Sequence, residues 1–261
     1  MVSVDIDQLY QWMNGFLWPF FRIAGLISTA PILSESSIPV RLRIGLAVLC
    51  TLVAAPLLGP MPDVPTGSYA GLLIAVQQVL IGIALGLTMR MVFTAALMAG
   101  EFIGLQMGLA FASFFDPATG ANTAVLSRIL NLVMMLLFLA VNGHLLMLSG
   151  LIHTFEFLPV GASLHVNGWG TLLEWSAQLW ISGMLLALPL IIVLLTINLS
   201  LGILNRTAQQ LSVFAVGFPI SLTTGLVVLS IVIPQSSDFM TRLFSEGYQA
   251  MARVAQAFSG M

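Results

Sequence analysis

The chain has 261 residues, of which 59% are hydrophobic and 7% charged, with a formal net charge of −2. Soluble domains carry about 25% charged residues, so this is a membrane-class composition. Lysine is absent, and the arginines are scattered singly apart from Arg41 and Arg43, which excludes a basic nucleic-acid patch and a lysine-bearing phosphate loop.

Taken in order, residues 1 to 11 are polar and acidic, and Asp5 and Asp7 do not read as a cleavable leader. A first apolar run, Trp12 to Leu33, is interrupted by Arg22. A mid-span arginine is costly against lipid, so Arg22 should face protein or water. Pro31, the serine-rich cluster at 34–37 and Pro39 mark a turn, and Arg41 and Arg43 open a second, short run from Ile44 to Leu58. Gly59 to Gly67 reads as an extended loop, and Cys50, the only cysteine, can form neither an intrachain disulfide nor a cysteine-based metal site.

The third run starts near Tyr69 and continues past Met98, with Gly82 and Gly86 one helical turn apart and Arg90 a further turn along. A helix from 69 to 112 would exceed a bilayer, which about 20 residues span, so it should break near Gly100 or project beyond the membrane. Gly100, Gly104, Gly108 and Ala112 recur every four residues, so in a helix they form one stripe along which another helix approaches closely. The stripe leads to Phe111, Phe114, Phe115 and then Asp116-Pro117, where the helix should end. Two readings are open: an aromatic cluster delivered to a loop, or an ordinary buried helix with core phenylalanines. Glu101 needs a partner if it is buried, with Arg90 and Arg128 as candidates.

Residues 116–127 read as a loop, and the fourth run is Arg128 to Leu151. The mixed segment from His153 to Trp175 reads as a water-facing loop with amphipathic helical patches; His153 and Glu156 have metal-compatible spacing but lack further ligands. The fifth run is Leu179 to Leu204, followed by a polar turn with Asn205, Arg206, Gln209 and Gln210; the sixth is Val213 to Ile233. Residues 237 to 258 repeat apolar side chains at three and four and read as a terminal amphipathic helix. The expected fold is therefore all-α, with about six long apolar helices plus that terminal one. Arg41, Arg43, Arg128 and Arg206 fall on the odd connections and Asp63, Glu156 and Glu174 on the even ones, which puts the odd connections in the cytoplasm and the N-terminus outside. Neither a nucleophile elbow nor a paired acid and base is visible, so no enzyme, cofactor or metal is expected.

Three stretches, GEFIGLQMGLAFASFFDP at 100–117, LSRILNL at 126–132 and LGILNRTAQQLSVFAVGFPISLTTGLVVL at 201–229, are long and specific. Through them the chain resembles the FliR family of flagellar export-gate proteins, whose counterparts serve virulence type III secretion. It departs at Gln209 and Ser212, where the family commonly has proline and asparagine. The resemblance implies a FliP-like part over residues 1–175 and a FliQ-like part over 176–261, joined to FliP-family and FliQ-family subunits in a helical hetero-oligomeric gate. It implies FlhB-family and FlhA-family export proteins as further partners, unfolded flagellar substrates, and a place in the inner membrane at the basal body, largely above the membrane plane. It implies a conduit-closing loop at Leu109 to Pro117, with Phe111, Phe114 and Phe115 as its plug. Arg22, Arg90, Glu101 and Arg128 are expected buried charges, and Asn205 to Gln210 a cytoplasmic turn. The alternative is a stand-alone multispan transporter of small solutes, but no internal repeat is evident.

Overall fold

The computed structural model describes residues 6–109, 125–207 and 213–260. Among them all regular structure is helical: α1 (Ile6–Thr29), α2 (Val40–Ala54) with a 3-10 turn at Ala55–Leu57, α3 (Tyr69–Gln106), α4 (Val125–Ala140), α5 (Gly143–Phe157), α6 (Asn167–Thr207), α7 (Val213–Gln235) and α8 (Ser237–Ser259). The chain divides into two compact units. The first comprises Met1–Met91, Asn142–Ser176 and Phe244–Met261, and the second Val92–Val141 and Ala177–Leu243. This packing division differs in kind from the sequence division expected at residue 175.

In the first unit, α1 buries Trp18, Arg22, Ile23, Leu26 and Ile27, positions three, four and five apart that form one helical face. Asn14 anchors the proline-rich loop, its side-chain amide donating to the Val64 carbonyl at 3.2 Å. Pro39, extended, precedes α2, where a missing N–H costs nothing. The buried positions of α2 are small (Ala47, Thr51, Ala54), while its larger apolar side chains stay exposed. Ser68 begins α3, its hydroxyl accepting the Gly71 N–H at 3.0 Å. Along α5, Met147, Leu151, Thr154 and Phe155 face inward, and the second half of α8 contributes Met251, Val254 and Phe258. Tyr248 donates to the Gly143 carbonyl at 3.2 Å, and burial pushes its phenol up to about 12, which keeps the proton on the donor.

In the second unit, α4 buries Leu126, Leu130, Met134 and Phe138 at strict four-residue spacing. Phe138 meets Phe93 edge to face, with ring centroids 5.3 Å apart. From α6 come Leu179, Leu186, Leu190 and Leu194. A Cβ at Gly183 would lie 2.9 Å from the Ala95 carbonyl oxygen, so α3 and α6 touch there through backbone.

The structure settles one open alternative and departs from the sequence reading elsewhere. Of a break near Gly100 or an overlong helix, the second is found: α3 is continuous for 38 residues, about 57 Å at 1.5 Å per residue, nearly twice the hydrocarbon core. The fourth run is two helices, because Asn142 adopts a left-handed φ of 55° between α4 and α5. The helical patches expected between His153 and Trp175 belong to long helices and leave only a short loop, since α5 runs to Phe157 and α6 starts at Asn167. Finally, among the described residues four helices, not six, are long and apolar enough to cross a membrane, or five if α4 and α5 together make one broken span. The first run falls short, and its most apolar face lines the protein interior.

Candidate functional site at the end of α3

Two arrangements hold α3 in place, one in each unit. In the first unit α1 and α3 cross with almost no side chain between them. A Cβ on Gly25 would sit 2.6 Å from the Val79 carbonyl oxygen, one on Gly86 would sit 2.7 Å from the Leu26 carbonyl oxygen, and one on Gly82 would meet the Arg22 carbonyl. Gly82 and Gly86 were legible as a small-residue pair; Gly25, their counterpart, has no glycine one helical turn away on either side and carried no such signal.

Beside that crossing lies Arg22, fully buried. Its Nε donates to Gln78 Oε1 at 2.8 Å, Nη1 to Thr154 Oγ1 at 3.1 Å and Nη2 to the Leu158 carbonyl at 2.8 Å. Its Cζ lies 3.9 Å from the Phe155 ring centroid. Among the described residues no carboxylate stands within ion-pair distance. Neutral oxygens and a ring therefore solvate the charge in place of water, and the planar fork fastens α1 to α3, to α5 and to the turn after α5. The sequence placed Arg22 away from lipid; none of its partners was predictable, because each is polar but uncharged.

In the second unit Gly100 lies against the backbone of α4, where an added Cβ would come within 2.5 Å of the Ser127 nitrogen. Glu101 accepts the Ser127 hydroxyl at 3.2 Å, while Arg128 and Arg90 are exposed. Gly104 is buried. The expected stripe stops here, because the helix ends at Gln106 and Gly108 takes a φ of 80°. The Gly108 N–H bonds to the Leu105 carbonyl at 3.1 Å and the Leu109 N–H to the Gly104 carbonyl at 3.0 Å. This is the paired capping of a Schellman motif, with Gly108 at the one position where a side chain would be strained.

Around this cap α3, α6 and α7 enclose a groove of about 370 Å³. Gln106, Asn198 and Ser221 give it a polar side, and Gly202, Gly217 and Phe218 complete its wall. Ser221 Oγ donates to Asn198 Oδ1 at 2.9 Å, and Gly225 packs on Met107. Asn205 and Arg206 are exposed in the last turn of α6. Phe111, Ala112, Phe114, Phe115, Gln209 and Gln210 lie outside the described residues. His153 and Glu156 are 3.3 Å apart on the exposed surface, and no group of three metal-binding side chains occurs among the described residues. Chemically, these elements can pack helices at backbone distance and stop one of them at a fixed residue.

Comparison with known proteins bears on what a helix stopped in this way is for. The family model for bacterial export proteins, family 1, matches residues 13–247. The flagellar biosynthetic protein FliR of Escherichia coli strain K12 is 48% identical over 255 residues, 97% of this chain and 97% of its own. FliR of Pectobacterium carotovorum subsp. carotovorum is 46% identical over 260 residues, 99% of both chains. FliR of Bacillus subtilis strain 168 is 28% identical over 250 residues, 94% of this chain and 96% of its own. A family match over residues 13–247 and relatives 46–48% identical over nearly the whole chain mean that this chain belongs to the FliR family of bacterial export proteins.

Proposed function

We propose that this chain is a core subunit of the flagellar protein export gate in the bacterial inner membrane, where it helps form and close the conduit for unfolded flagellar substrates. The observation that carries this reading is its likeness, over nearly its whole length, to flagellar biosynthetic proteins. Its chemistry is non-enzymatic. FliP-family and FliQ-family subunits surround it in a helical hetero-oligomer, and FlhB-family and FlhA-family proteins act with it. The lengths of α3 and α6, 38 and 41 residues, support a complex extending well beyond the bilayer plane. The arginine pattern supports part of the orientation: without the first run as a crossing, and with α4 and α5 as one broken span, Arg41, Arg43, Arg128 and Arg206 still alternate with Asp63, Glu156 and Glu174 across five spans, which keeps the arginine-bearing connections in the cytoplasm but moves the N-terminus to that side as well.

Gly108 gives the proposed plug a fixed point of departure. Because α3 is capped at Gln106–Leu109, Phe111, Phe114 and Phe115 follow within a few residues of a rigid element. Three rings on a short tether can close a narrow conduit by excluding water. Replacing all three by alanine leaves the cap and the Gly82, Gly86 and Gly100 contacts intact. The expected result is an assembled complex and a measurable rise in membrane conductance to small ions. Intact assembly without leakage returns these rings to a packing role.

The turn after Arg206 is the proposed contact with the FlhB-family partner at the cytoplasmic entrance. A photo-crosslinker at Gln209 or Gln210 is expected to capture that partner. Capture of periplasmic rod components alone overturns both the orientation and the contact.

A further inference from the structure

In the first unit a groove of about 270 Å³ opens between α2 and α5. Ile23 and Leu151 lie at its base, buried; Leu49 and Val53 form its rim, 62% and 73% exposed. Apart from the half-buried Cys50 thiol its lining is apolar. Water in such a pocket finds no hydrogen-bond partners, so the space suits an apolar ligand. The helical segment forming one wall, Val40–Leu57, is long and apolar enough to cross a membrane while only 17% of it is buried inside the protein, so the bilayer itself is at hand to supply the ligand.

Beyond the groove's lining, further along α2 towards its N-terminus, stands a charge. Arg43 lies seven residues before Cys50, hence on the same face of α2, whereas Arg41 falls on the opposite face. At 1.5 Å per residue, Arg43 stands about 10 Å along the axis from Cys50 and about 16 Å from Ala54, close to the depth of one leaflet's hydrocarbon. Its Nη2 donates to the Glu35 carbonyl, but its Nε is shielded from solvent with no hydrogen-bond partner, and among the described residues it makes no ion pair. The arginine pattern assigns this end of α2 to the cytoplasmic side, where the leaflet is rich in anionic lipid.

We propose that the α2–α5 groove is a binding site for an anionic membrane phospholipid: one acyl chain fills the space beside Cys50 and Val53, and the headgroup phosphate sits on Arg43. Charge-assisted contacts between guanidinium and phosphate oxygens are among the strongest hydrogen bonds available at such a depth.

The test uses the full chain, isolated from its membranes together with its co-purifying subunits and reconstituted in phosphatidylcholine vesicles. These contain a trace of phosphatidylglycerol, or of phosphatidylcholine, with a diazirine on one acyl chain. After photolysis, label is expected within Leu49–Ala54 and Leu148–Ile152, about fivefold more from the phosphatidylglycerol probe. Arg43→Gln is expected to remove that preference while Arg41→Gln keeps it. Val53→Trp, which fills the groove, is expected to abolish labelling there by either probe. Equal labelling by the two probes, a preference that survives Arg43→Gln, or no label in the groove because another subunit covers it each overturns the proposal.

Discussion

Gly82→Leu is expected to prevent this chain from accumulating in the membrane and to abolish motility. A side chain at this position meets the backbone of α1, with the Leu26 nitrogen 2.8 Å from the added Cβ and the Arg22 carbonyl in direct collision. Backbone cannot rotate aside, so α1 and α3 must separate, and the Gly25 and Gly86 contacts are lost with the same movement. Overpacking usually costs about 1–3 kcal/mol, and a collision between two helix backbones belongs at or above the top of that range. Inside a membrane-class protein close approach is itself a main source of helix association, so little compensates. Gly45→Leu is the control, since a Cβ there meets nothing within 4 Å. The measurement is the amount of chain in the membrane fraction, alongside swimming. Wild-type levels and swimming in Gly82→Leu would show that the crossing is not close-packed.

Arg22→Ala is expected to have the next largest effect. It strands Gln78 Oε1 and the Leu158 carbonyl in a dry interior and removes the donor to Thr154 Oγ1, whose hydroxyl still donates to the Leu151 carbonyl. Each buried unsatisfied group costs about 1–3 kcal/mol, and the stacking of the guanidinium on the Phe155 ring is lost as well. Arg22→Lys keeps the charge but not the fork, so it reaches fewer of the three acceptors and should fall between wild type and Arg22→Ala. Loss of soluble complex on heating, followed for the three proteins, gives the ranking. Equal thermal behaviour of Arg22→Ala and wild type would mean that water or neighbouring subunits satisfy those acceptors.

How much was legible in advance follows from what each signal measures. Hydropathy reports removal from water, so it located nearly every helix but could not separate lipid from protein interior. The first run shows this: Trp18, Ile23 and Leu26 are as apolar as any span, and they face the core. Backbone events were hardest to see. Asn142 divides an apolar run by a single dihedral, and the Asn142-Gly143 turn signal followed by His144 was read as polar residues inside one continuous run. Gly100 and Gly108 belong to the same four-residue pattern yet do opposite things. One lets a neighbouring backbone approach, and the other ends the helix that would have continued the stripe. Spacing cannot distinguish those uses, because a Schellman glycine and a packing glycine both stand in register with the turns before them. The search for an arginine beside Glu101 likewise assumed that a carboxylate seeks a charge, whereas the Ser127 hydroxyl serves it. By contrast Arg22 was legible in kind, since the cost of its charge in hydrocarbon excludes only one neighbour, lipid.

The first compact unit also imposes an order of events. It draws on Met1–Met91, on Asn142–Ser176 and on Phe244–Met261, so its earliest-synthesised helices wait for its last. The Phe258 carbonyl accepts the His165 N–H at 3.0 Å, and its ring meets Trp169 at 5.2 Å. Until α8 leaves the ribosome, the faces of α5 and α6 that receive it stay open while α1 and α3 are already in place. Completion of this unit therefore waits for residues 244–261, and a growing chain must keep the receiving apolar surface from wrong partners until they have been made.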